Sequence, residues 1–138
     1  MKCEIIKNRA RVTQIAAFDG MEYGKCRPTD VDFAMDFQGR TFIFGEIKGG
    51  GVPLTMGQRL FLQAMVDGLR AGGKKAIAIM VTHDTPDPDE DIHVAESPVA
   101  CYYDGSEGRG KWKKPEAPVN CHDFIKSIHE KHIKGLLP

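Results

Sequence analysis

The segment VPLTMGQRLFLQAMVDGLRAGG repeats apolar residues at helical spacing, with Phe61, Leu62, Met65, Val66 and Leu69 on one stripe. Both ends of this helix are marked. Thr55 and Gln58 form a T-x-x-Q capping box, and Gly72 or Gly73 supplies the stop. The next stretch, KKAIAIMVTH, is almost continuously apolar, the pattern of a strand buried on both faces of a sheet. Before the helix, PTDVDFAMDFQGRTFIFGEIKGGG reads as a hairpin turning at Gln38–Gly39–Arg40. Strand, helix and strand in that order predict a crossover unit, right-handed by default.

Outside this centre, Asn8 is a good N-cap for a helix through about Phe18, with Val12, Ile15 and Ala16 on one side and Asp19–Gly20 at its end. IHVAE and VACYYD have the composition of further short strands, and TPDPDED is an acidic, proline-broken loop. Asn120 caps a last helix whose Phe124, Ile125, Ile128 and Ile133 form an inner face. The expected class is α/β: a central mixed β-sheet flanked by helices, in one domain spanning residues 1–138.

Composition sharpens this only in part. A hydrophobic share of 41% with 28% charged residues is that of an ordinary globular protein. No apolar run approaches the roughly 18 residues of a membrane span. The opening MKCEIIKNRAR becomes charged too early for a secretory signal. Cys3, Cys26, Cys101 and Cys121 contain no CxxC pair, so reduced thiols and a cytoplasmic location are expected, with a zinc site disfavoured by the spacing. The net charge is zero, from 19 basic and 19 acidic residues, which weighs against a non-specific polyanion binder. The charges are nevertheless clustered. Arg109, Lys111, Lys113 and Lys114 surround Trp112, and Lys7, Arg9 and Arg11 lie near the start.

The hairpin carries charge where a half-buried strand prefers neutral side chains: Asp30, Asp32, Glu46 and Lys48. A three-residue turn at QGR pairs Phe37 with Thr41, which sets Asp32 across from Glu46 and Asp30 across from Lys48. Period-two alternation then puts Asp32, Glu46 and Lys48 on one face. A turn one residue shorter would separate the two acids onto opposite faces. Facing carboxylates repel unless a positive group lies between them. Mg²⁺ meets that need, because it favours oxygen ligands, keeps several waters and is usually held by one or two carboxylates. The Ile47 carbonyl is a candidate third ligand, and Lys48 is placed to orient a water or bind a phosphate. This set implies metal-assisted hydrolysis of a phosphodiester.

An acid on one strand, a tight turn, E-I-K at the end of the next strand and a following helix resemble the PD-(D/E)xK nuclease superfamily. The resemblance covers roughly Pro28 to Thr82, and NRA, FDGMEYGK and PTDVDF are most similar to small phage-encoded members. It implies a restriction-endonuclease-like core, Mg²⁺ or Mn²⁺ held by Asp32 and Glu46, and Lys48 as the catalytic lysine. Gln58 falls where several subgroups place a glutamine, and Glu22 is the nearest acid to the position that some fill from their first helix. PTDVD stands here in place of Pro-Asp directly, which leaves Asp30 or Asp32 as principal ligand, with Asp32 favoured by the pairing. The expected substrate is DNA, duplex or branched, cut by an endonuclease or junction-resolvase-like enzyme in the host cytoplasm. A homodimer would suit the cutting of two strands.

Plainer roles stand beside these. Asp32, Glu46 and Lys48 form a surface ion cluster if the face is open. Gln58 serves either the capping box or the site, and Arg59 faces solvent or phosphate. Arg109, Lys111, Trp112, Lys113 and Lys114 either grip a nucleic-acid backbone, with Trp112 stacking on a base, or make a solvated turn around a half-buried indole. From another class, a non-cleaving nucleic-acid-binding or recombination-accessory module on the same fold is the alternative.

Overall fold

A computed structural model describes residues 15–138. Its hairpin joins strand β1 (Phe33–Phe37) to strand β2 (Thr41–Gly49) in antiparallel register, with Phe37 opposite Thr41 and Phe33 opposite Gly45. This is the register that the three-residue turn predicts. Gln38 and Gly39 both take positive φ, 58° and 67°, and the Asp36 carboxylate accepts the Gly39 N–H at 2.6 Å. An aspartate side chain thus holds the reversal that lets the chain double back after only three residues.

Helix α1 (Met56–Ala71) then crosses over to strand β3 (Lys75–His83), which lies parallel to β2 along its full length. Both capping-box bonds form: the Thr55 hydroxyl accepts the Gln58 N–H, and the Gln58 side chain accepts the Thr55 N–H. Strand β4 (Val99–Tyr103) closes the sheet antiparallel to β3, giving the order β1-β2-β3-β4, and helix α2 (Cys121–Lys134) follows from an Asn120 cap. The fold is mixed α/β, a four-stranded mixed sheet with two helices.

Alternation along β2 and β3 divides the core in two. Phe44, Ala76, Ala78 and Met80 pack with Leu62 and Val66 of α1 on one face. Ile43, Ile77, Ile79 and Val81 pack with Cys121 and Ile128 of α2 on the other. Strand β3 is therefore covered on both sides, as its unbroken apolar run predicts.

Four expectations change. IHVAE does not form a strand; Val94–Glu96 is a single 3₁₀ turn that leads into β4. Phe61 is 39% exposed and Ile133 is 69% exposed, because each lies at the margin of its helix's apolar stripe, where the sheet no longer covers it. The first expected helix, from Asn8, falls mainly outside the described residues, and its last positions, 15–18, are irregular. Cys3, Lys7, Arg9 and Arg11 lie outside them altogether. Among the described residues, no helix is long and apolar enough to cross a membrane.

Candidate active site

Strand β1 begins at Phe33, whereas β2 continues four residues beyond the paired Gly45. Over Glu46–Gly49, β2 therefore has β3 on one side and no strand of the described chain on the other. Asp32, just before β1, fills the start of that gap: its Oδ2 accepts the Ile47 N–H at 2.7 Å. In extended backbone the N–H and C=O of one residue leave on the same side. The Ile47 carbonyl consequently faces the same open edge as Asp32.

Glu46 shares the α1 face with Phe44 and is only 2% exposed. The Asp32 carboxyl, at the strand edge, acts on Glu46 through both its charge and a side-chain hydrogen bond. Burial raises the Glu46 pKa, and the Asp32 charge and hydrogen bond and the Asp30 charge raise it further, to about 7 against the opposing pull of Lys48. Of its two oxygens, Oε2 is 3.5 Å from Gln58 Nε2, while Oε1 is buried without a hydrogen-bond partner among the described residues. A buried acceptor with no donor costs on the order of 1–3 kcal/mol, more when charged.

Gln58 resolves its two readings by filling both. Its Oε1 is engaged by the Thr55 N–H at 3.1 Å, which fixes the amide so that Nε2 points to Glu46. Lys48 is half-buried opposite Thr82, two residues from Glu46 on the same face, and makes no ion pair within 4.0 Å among the described residues. Asp30 is exposed and acts on Glu46 through its charge, so Asp32 is the acid in contact. Glu22 is exposed and lies just before the turn closed by Tyr23 and Cys26, 4.0 Å from Arg27.

The donor set fits a hard divalent cation. Among the described residues no three His, Cys, Asp or Glu side chains converge, so such an ion would take the Asp32 and Glu46 carboxylates, with the Ile47 carbonyl and waters completing its shell. The unpartnered Glu46 Oε1 is the observation that favours it.

The basic segment divides. Trp112 packs half-buried against Tyr103 at 5.6 Å between ring centres, donates to Gln63 at 2.7 Å, and carries Arg59 over its ring at 5.0 Å. Lys113 pairs with Asp104 at 3.0 Å. These contacts favour the half-buried indole over a base-stacking platform. Arg109, Lys111 and Lys114 stay exposed. Arg59 and Lys114 both act on the Cys101 thiol, whose pKa burial nonetheless raises. Cys101 is opposite Met80, which is opposite Glu46. The two cations thus add positive charge on the β4 side of the sheet, two strands from Glu46.

One feature escaped the sequence reading. A side chain at Gly45 would meet the Phe33 ring at 2.1 Å, so this glycine lets the ring pack over β2 on the α2 face, opposite the face that carries Glu46. The available signal was a glycine inside an otherwise apolar strand. Compared with protein-family models, with curated proteins and with solved structures, the chain finds no match.

Proposed function

We propose that this chain is a metal-dependent deoxyribonuclease of the PD-(D/E)xK type, hydrolysing phosphodiester bonds of DNA. One observation carries the reading: two carboxylates held together at the end of β2, one of them buried with an oxygen that no donor satisfies. Asp32, Glu46 and the Ile47 carbonyl would hold Mg²⁺ or Mn²⁺. When bound, such an ion makes water easier to deprotonate and offsets negative charge developing on a phosphoryl oxygen.

The chain's own residues supply the rest. Lys48 presents an ammonium on the acids' face, suited to hold a phosphate oxygen or orient the attacking water. Gln58 restrains the Glu46 carboxylate from the first turn of α1. Arg59 and Lys114 add positive charge near Cys101, suited to flanking phosphates of a bound strand. Placing the reacting groups on strand ends and a capped helix limits their freedom, which is worth more to rate than additional contacts.

The test is cleavage of supercoiled, linear and branched DNA with Mg²⁺ or Mn²⁺, compared with Glu46→Ala and Lys48→Ala. Cleavage by the wild type that both substitutions abolish is the expected result. DNA binding without cleavage by the wild type would replace the enzyme with an accessory module.

A further inference from the structure

At the other end of β2, about 17 Å of strand from Glu46, the chemistry inverts. A depression of about 410 Å³ is lined there by Arg40, Lys74, Lys75, Lys131, His132 and Thr41, and among the described residues no carboxylate side chain lines it. None of the four flexible cations makes an ion pair within 4.0 Å among the described residues. Four positive charges around one hollow repel each other, as the two carboxylates do at the opposite end.

Basic residues at helix C-termini have an ordinary explanation, and both helices end here. Its size can be judged. Each helix end contributes about half a negative charge, so two ends offset roughly one of the four cations. Several terminal carbonyls are already satisfied by backbone N–H groups. The Gly72 and Lys74 N–H groups bond Leu69, the Gly73 N–H bonds Arg70, and the Gly135 and Leu136 N–H groups bond His132 and Lys131. The excess charge is unspent.

The floor of the hollow is built rather than loose. Thr41 is buried at 1% exposure, and its hydroxyl lies 2.7 Å from His132 Nδ1. His132 Nε2 is 3.3 Å from Gln38 Oε1, which Arg40 also contacts. Because that amide oxygen can only accept, His132 donates to it from Nε2, and its Nδ1 bonds the Thr41 hydroxyl. The imidazole and guanidinium thereby meet at one side-chain amide.

We infer that this basic hollow is a phosphate-binding site separate from the acid pair, recognising a phosphoryl group either free or within a nucleic-acid backbone. Arg40 supplies a planar fork and the lysines supply point charges, the combination that phosphate oxygens favour. The site is independent of the nuclease reading, and its test needs neither metal nor cleavage.

The full chain is melted in metal-free buffer containing inorganic phosphate and in sodium chloride of equal ionic strength. The paired variant Arg40→Gln/Lys131→Gln changes two exposed side chains, and its melting in chloride reports whether it folds. Phosphate should raise the wild-type Tm by a few degrees over chloride, the variant should lose that rise, and Glu46→Gln should keep it. An equal response of wild type and paired variant to phosphate overturns the site. A duplex titrated with salt identifies the source. If the hollow seats backbone phosphates, the slope of log K against log salt falls by about one to two in the paired variant. Loss of the phosphate response with an unchanged slope assigns the hollow to a free phosphoryl ligand.

Discussion

Asp32 does for Ile47 what another residue of β1 would otherwise have done: its Oδ2 takes the Ile47 N–H at 2.7 Å. The side chain continues the ladder where the strand stops, and that bond holds its charge beside Glu46. Substitutions separate the two consequences. Asp32→Ala removes both the acceptor and the neighbouring charge, so the Glu46 titration midpoint should move from about 7 back toward its ordinary 4.5, leaving the part due to burial. Asp32→Asn keeps an acceptor and should preserve protection of the Ile47 amide from hydrogen exchange, which Asp32→Ala loses. Carboxyl carbon shifts of Glu46 against pH, with amide exchange, read both effects. Identical midpoints in wild type and Asp32→Ala would contradict the contact.

A raised carboxyl pKa makes stability fall as pH rises. Between 4.5 and about 7 the unfolded chain has released the Glu46 proton while the native chain still holds it. With more protons bound in the native state, the free energy of unfolding declines across this window and levels off above it. The shift corresponds to a cost on the order of 3 kcal/mol at pH 8 in the absence of a cation. Glu46→Gln escapes the cost and can donate to Asp32. Denaturant melts should show the variant more stable than wild type at pH 8, with the advantage shrinking as pH falls from about 7 toward 4.5. A wild type that gains stability from pH 5 to 8 relative to Glu46→Gln would reverse the assignment.

The same proton links metal to pH. A carboxylate must be ionised to ligate, so Mn²⁺ or Mg²⁺ competes with the proton on Glu46. Divalent cation should raise the Tm of the wild type more at pH 8 than at pH 6, and binding at pH 6 should release close to one proton. Calorimetry in two buffers of different ionisation enthalpy measures that release. Glu46→Gln should show neither effect. A thermal response to the cation equal at both pH values would detach it from Glu46.

Much of this arrangement was legible in the chain because local chemistry and register determine it. QGR admits a three-residue turn, and once the turn length is set, the ladder runs to Phe33 opposite Gly45, which brings Asp32 and Glu46 to the next positions. Thr55, Gln58 and the glycines after Ala71 mark both ends of α1 by backbone bonding, which does not depend on distant residues. What sequence alone left open was decided by packing between elements. Trp112 could be assigned to solvent or core only once Tyr103, Gln63 and Arg59 were seen to surround it. IHVAE has strand composition but no neighbouring strand to pair with, so three of its residues close into a turn. The basic hollow joins Arg40, Lys74 and Lys131 from three separate parts of the chain, and no local pattern announces that meeting.

Gly45 couples stability to the site. A Cβ there would come within 2.1 Å of the Phe33 Cε1 and Cζ atoms, and ring carbons inside a strand pair cannot yield that much without moving β1. Overpacking of this kind costs about 1–3 kcal/mol. Phe33 adjoins Asp32 in the chain, so displacing the ring also displaces the carboxylate from Ile47 and Glu46. Gly45→Ala should therefore lower the Tm and weaken the Mn²⁺-induced rise together. Gly45→Ala/Phe33→Ala removes the obstruction, so it should recover the metal response even though loss of the ring leaves it less stable than wild type. Recovery of the metal response without full recovery of stability distinguishes a displaced Asp32 from a generally loosened sheet. If the double variant regains neither, the ring is not what holds the acid in place.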